Sequence, residues 1–273
     1  MDLSSLENIM FSGAFILYVA SMFLYLLDFL SSKGSRGMTA RNVLVVGFAA
    51  HTIAIIARGI TAERAPLSNQ YEFATAFAWG IALMYLVFSK KYKLEVMGTF
   101  VTPIIFLILG YAAMLNKSIR PLMPALQSNW LVFHVSCAII SYGAFAVACG
   151  LGIMYLAQPK LEAKDKFKDK LPALGVLDMI TYRTVGFGYF MLTLVIITGA
   201  IWAERAWGRY WAWDPKETWS LITWIIYSIY LHLRLMKGWR GKKAAIFVVV
   251  GFICVIFTYI GVNTLLPSIH SYV

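Results

Sequence analysis

Long apolar runs, repeated along the whole chain, limit most strongly what it can fold into. They lie at about residues 11–31, 40–60, 73–89, 94–115, 130–157, 184–202, 217–236 and 243–265. A bilayer takes about 20 largely apolar residues per spanning helix. The spacing therefore predicts an all-α, polytopic membrane protein with eight transmembrane helices. The third run is short and the fifth long, so tilt or an interfacial extension is expected there. Composition agrees: of 273 residues, 60% are hydrophobic and 14% charged, against about 25% charged in a soluble domain. With no long linker, repeat or low-complexity tract, residues 1–273 read as a single membrane domain. The start, MDLSSLENIMFSG, lacks a basic n-region and a small-residue cleavage pattern, and reads as uncleaved.

The formal net charge of +11 sets orientation. Of 24 Lys and Arg, 17 fall in SSKGSRGMTAR, SKKYK, QPKLEAKDKFKDKLPALGVLDMITYR and RLMKGWRGKK, all on one side if loops alternate. Basic loops stay cytoplasmic, so both termini are expected on the extracytoplasmic side. The same bias accounts for the basic charge without nucleic acid. Segment 158–183 reads as a solvated cytoplasmic connector. Cys137, Cys149 and Cys254 fall inside predicted helices without a C-x-x-C pair. That disfavours thiol–disulfide exchange, which needs neighbouring thiols, and leaves them as packing residues.

Ionisable groups within spans are costly and tend to be functional. The four histidines lie on or beside four different helices. His134 near the outer end of the fifth and His270 after the eighth form an outer pair. His51 in the middle of the second helix and His232 near the cytoplasmic end of the seventh form a second pair that could share a depth. Two imidazoles can fill the axial positions of haem iron. A structural zinc site wants four ligands, which nothing here completes, and a satisfied interhelical hydrogen bond remains open for each histidine alone.

The stretch WGRYWAWDPKETWSL (207–221) sits in the outer loop, taken as 203–216. Trp202, Trp207, Trp211, Trp213, Trp219 and Trp224 are six of nine tryptophans. An interfacial belt would scatter them over both surfaces. Flat apolar rings with a polar edge suit a large flat ligand such as porphyrin. Asp214, followed by Pro and then Glu217, has the pattern of an N-cap and capping box. Arg205, Arg209 and Lys216 form a cationic fringe, suited to propionates or to lipid headgroups.

WAERAWGRYWAWDPKETWSLITWIIYSIYLHLR closely resembles the WWD segment of haem-handling proteins, and more narrowly the CcsA/ResC family of system II cytochrome c biogenesis. PLSNQYEF (66–73), HVSCAIISYGAF (134–145) and GVNTLLPSIHSY (261–272) add to the likeness, which covers most of the chain. It implies that His134 and His270 ligate haem b outside, that His51 and His232 ligate it on its way across, and that the tryptophan segment with Asp214 contacts it. It also implies a CcsB/ResB-type membrane partner, an apocytochrome c with a C-x-x-C-H motif, and a thioredoxin-like thiol reductant. The bacterial cytoplasmic membrane is the expected setting, ahead of the thylakoid. The expected function is haem export and presentation for thioether attachment, a haem-lyase component. No P-loop supplies energy, and no nucleophile or general base is assigned. Two rivals are a haem exporter without lyase activity and a b-type electron carrier.

Overall fold

The computed structural model describes residues 2–31, 36–164, 167 and 170–266, which are helical over most of their length. The helices are α1 (Leu3–Leu30), α2 (Gly37–Thr61), α3 (Gln70–Tyr92), α4 (Met97–Met114), α5 (Asn129–Glu162), α6 (Leu174–Trp207), α7 (Pro215–Lys237) and α8 (Lys242–Leu265). Seven are long and apolar enough to cross a membrane, so the chain is a multi-pass membrane protein. The exception is α7, whose 23 residues include Lys216, Glu217, His232, Arg234 and Lys237.

Sequence patterning finds every helix but misplaces several ends. α1 begins eight residues before the apolar run, because Asp2 accepts from the Ser5 amide at 2.9 Å and starts the helix in a polar segment. α3 is 23 residues long and is not short. The 158–183 connector shrinks to 163–173, since α5 continues to Glu162 and α6 starts at Leu174. Nor is it simply solvated. Lys170 reaches across and donates to the carbonyls of Asp28 (3.2 Å), Phe29 (2.8 Å) and Ser31, at the C-terminal end of α1.

The mostly buried α5 is the centre of the bundle. α3, α4, α6 and α8 pack on it, α1 and α2 pair with each other on one flank, and α7 lies against α6 and α8 on the other. Small residues permit this density. A Cβ at Gly143 would lie 2.6 Å from the Gly80 carbonyl oxygen, so α3 and α5 touch backbone to backbone. At the basic end, Arg234 on α7 grips Asp178 on α6 through two hydrogen bonds of 2.8 and 2.6 Å, and the Gly241 amide adds a third at 3.0 Å. α8 is not uniform: a π-turn over Phe257–Gly261 interrupts it near the other end. Such turns are rare and gather at functional sites.

Candidate functional site

His134 sits in the second turn of α5, facing α6. Its Nδ1 is 2.9 Å from the Val195 carbonyl oxygen. A carbonyl can only accept, so Nδ1 carries the hydrogen, and in the neutral imidazole the lone pair is the one on Nε2. Metal-binding histidines are oriented by this kind of outer-shell bond. The ring lies nearly parallel to Trp202, at 24° and 6.0 Å between centroids. Space for it comes from Gly199, one turn beyond Val195, where a Cβ would approach His134 Cε1 to 2.8 Å.

His134 lines an open cavity of about 1110 Å³, its mouth and the solvent in it included. One wall is α5 and α6, with His134, Gly199 and Trp202. The facing wall is α7 and α8, with Lys216, Ser220 and Asn263, and includes Thr258 and Tyr259 of the π-turn. The Tyr259 hydroxyl donates to the Gln70 carbonyl at 2.8 Å, which ties that turn to the loop before α3. Two buried polar atoms on the lining, Trp211 Nε1 and Asn263 Oδ1, have no hydrogen-bond partner among the described residues. Unpaired groups of this kind are costly, and here they lie where a ligand would meet them.

The floor of the cavity, Leu67 to Gln70, is pinned by one carboxylate. Glu72 accepts from the Ser68 amide (2.9 Å) and hydroxyl (3.0 Å). It is held in turn by Arg64 through bonds of 2.8 and 3.1 Å and by Arg58 Nε at 3.1 Å. Arg58, on α2, extends the network to Glu7 at 3.4 Å and to the Lys117 carbonyl at 2.7 Å. Sequence reading used this segment only as supporting likeness. Its functional signal was the run SNQYE, with an N-cap (Asn69, accepting from the Glu72 amide at 2.8 Å) beside a buried acid.

The six tryptophans divide. Trp202 and Trp211 line the cavity. Trp207 packs edge-on against Trp202 at 4.8 Å. Trp219 packs against Phe257 at 4.2 Å, tilted by 48°. Trp224 stacks on Tyr189 at 5.4 Å and donates to Thr193 at 3.0 Å, joining α6 to α7. Trp213 is 69% exposed and does not line the cavity. The non-helical segment is also shorter than 203–216, since α6 runs to Trp207 and α7 starts at Pro215. Gly208, at φ +71, makes the turn out of α6. The capping box forms: Asp214 caps α7, and Glu217 accepts from the amides of Asp214 (3.2 Å) and Ala212 (2.7 Å). Of the cationic fringe, Arg205 lies over Trp130 at 5.6 Å, Arg209 is exposed, and Lys216 is on the cavity wall.

The second histidine pair is not assembled. His51 is fully buried on α2, with Nδ1 3.3 Å from the Tyr18 hydroxyl of α1 and Nε2 without a partner at hydrogen-bond distance among the described residues. His232 is exposed on α7. α2 packs on α1 and α3, whereas α7 packs on α6 and α8. At 1.5 Å per residue, His51 is roughly 21 Å along α2 from the basic end and His232 roughly 7 Å along α7 from it. His270 lies outside the described residues. Among the described residues no three His, Cys, Asp or Glu side chains cluster as a metal site.

Residues 67–270 match the family model described as Cytochrome C assembly protein. The chain is 38% identical over 262 residues to cytochrome c biogenesis protein CcsA of Chlamydomonas reinhardtii, across 88% of this chain and 74% of that one. It is 33% identical to CcsA of Cyanophora paradoxa over 326 aligned positions, spanning 100% of this chain and 99% of the relative. Among solved structures, cytochrome c heme lyase CcmF superposes with a TM-score of 0.76 at 18% identity, over 98% of this chain. This chain spans 48% of that lyase, and the likeness is one of fold.

Proposed function

We propose, from the premise that this chain belongs to the cytochrome c assembly protein family, that it carries haem b to the cavity end of the bundle and presents it to an apocytochrome c. The observation that carries this reading is His134. Its imidazole is hydrogen-bonded into one tautomer and given space by Gly199, on the wall of a cavity also lined by Trp202 and Trp211. In this reading α7 is an eighth span, both termini are extracytoplasmic, and the cavity opens outward. The four capping and hub carboxylates (Glu7, Glu72, Asp214, Glu217) hold structure in place and move no proton.

His134 would hold the iron from one side, with His270 as the second ligand, and the indoles would hold the ring. Each acceptor thiol then adds across one vinyl double bond, sulfur to one carbon and hydrogen to the other, and nothing leaves. The chain contributes proximity and orientation, while the reactivity resides in the substrate. A thioredoxin-like reductant would keep the acceptor thiols reduced, and a CcsB/ResB-type membrane protein would complete the machine, in the bacterial cytoplasmic membrane. His51 and His232 would act as ligands during passage, which requires the α1–α2 pair and α7 to approach one another.

The test is product formation. The chain is purified with its membrane partner, reduced, and given a peptide containing C-x-x-C-H. The expected result is peptide-linked haem that resists acid extraction. Stable transfer to a soluble acceptor with no thioether would instead mark an exporter without lyase activity.

A further inference from the structure

We infer that Trp213 is a docking residue for the acceptor polypeptide and not a porphyrin contact. The inference rests on the reading above and divides the tryptophan segment between two ligands.

Three observations converge on this residue. Trp213 is 69% exposed, whereas Trp202 is 2% exposed and Trp211 has its indole nitrogen buried on the cavity wall. Its backbone is left-handed, at φ +56. Bulky residues rarely adopt that region, and they do so where the surroundings impose it. The imposing group is Glu217, whose carboxylate accepts from the amides on either side of Trp213, at Ala212 and Asp214. The Thr218 hydroxyl also donates to the Trp213 carbonyl at 3.3 Å. The chain therefore holds a large apolar ring rigidly in the open.

Position supplies the partner. Trp213 meets Trp211 edge-on, at 87° and 5.7 Å, so it stands directly behind the cavity lining. Tyr210 is 62% exposed yet also lines the cavity, which places the mouth beside them. Any polypeptide that brings thiols to the cavity passes these two rings. Exposed Arg209 adds a cation to the same rim. A rigid exposed tryptophan flanked by tyrosine and arginine has the composition of a binding hot spot. An interfacial membrane anchor would also place tryptophan at a helix end, but it needs neither the strained backbone nor the contact with Trp211.

The variant that isolates the ring is Trp213→Gly, since glycine accepts a positive φ without strain. The complex with the membrane partner is prepared in lipid nanodiscs. Binding of a labelled acceptor peptide, serine replacing both cysteines, is measured alongside haem content and absorption spectrum. Trp213→Gly should weaken peptide binding about fivefold or more, leave haem content and spectrum unchanged, and keep or raise the thermal midpoint. Trp213→Phe should restore most of the binding. Loss of haem to the extent seen in Trp211→Ala would overturn the assignment, as would unchanged peptide binding, with or without poorer retention in the bilayer. His134→Ala is the separate control: if it keeps its haem, the ligand reading fails while the peptide result still stands or falls alone.

Discussion

His134 and His51 are the same side chain in opposite states of preparation. At His134 a backbone carbonyl fixes the tautomer, a glycine opens space for the ring, and the ring stands on a cavity wall beside Trp202. At His51 the side chain is sealed between helices, one nitrogen makes a long bond to Tyr18, and the other has no partner at hydrogen-bond distance among the described residues. A ligand site that must hold cargo while a second molecule reacts benefits from rigidity, since misplacement by about 1 Å costs up to 100-fold. If His51 serves passage as proposed, such a site would benefit from closing behind its cargo, and a buried nitrogen without a close partner would keep the closed state from being too stable.

The largest effect expected from breaking this contrast is at His134. His134→Ala should lower haem retained at the cavity end by tenfold or more, with partial recovery in added imidazole, as read from the absorption spectrum of the purified complex. Next is Gly199→Val. Its Cβ would enter the space of the imidazole, so haem binding should fall by about tenfold, and imidazole should rescue it less well because the cavity itself has shrunk. His51→Leu sharpens the comparison from the other side. Leucine removes the buried Nε2 but also takes from the buried Tyr18 hydroxyl its bond to Nδ1, and a buried polar group left without its partner costs about 1–3 kcal/mol. The thermal midpoint should therefore fall slightly while haem at both sites falls a few-fold; retained haem with the same small fall would make His51 a packing residue. The smallest effect belongs to Trp224→Phe. It loses the bond to Thr193, worth about 1 kcal/mol, and should lower the melting temperature with haem content unchanged.

The helices were legible because lipid leaves a chain no other economical way to bury twenty apolar residues in a row. Their ends were not. Asp2 and Gly208 decide where α1 begins and α6 stops through caps, and Lys170 binds the far end of α1 from 141 residues away; hydropathy does not record such bonds. The tryptophan cluster was legible as a composition, and its division was not. Trp202 and Trp211 face the cavity while Trp219 and Trp224 serve the joints of α7, and which face of α7 meets α6 depends on neighbours far away in sequence. Gly199 and the π-turn at Phe257–Gly261 gave no signal, since a glycine in an apolar helix resembles any other small residue until its neighbour is known. The pairing of His51 with His232 rested on the likeness and on rough depth, and the structure holds them on separate flanks.

The Glu72 hub has a consequence for the conditions under which the cavity keeps its shape. The side chains of Glu7, Arg58, Arg64 and Glu72 are at most 10% exposed. Mobile ions screen buried pairs far less than exposed ones. The floor loop at Ser68 should therefore stay put from dilute buffer to brine, while attraction at the open rim, where Arg209 stands, fades as salt rises. Ionic strength thus becomes a dial that loosens the visitor without disturbing the room.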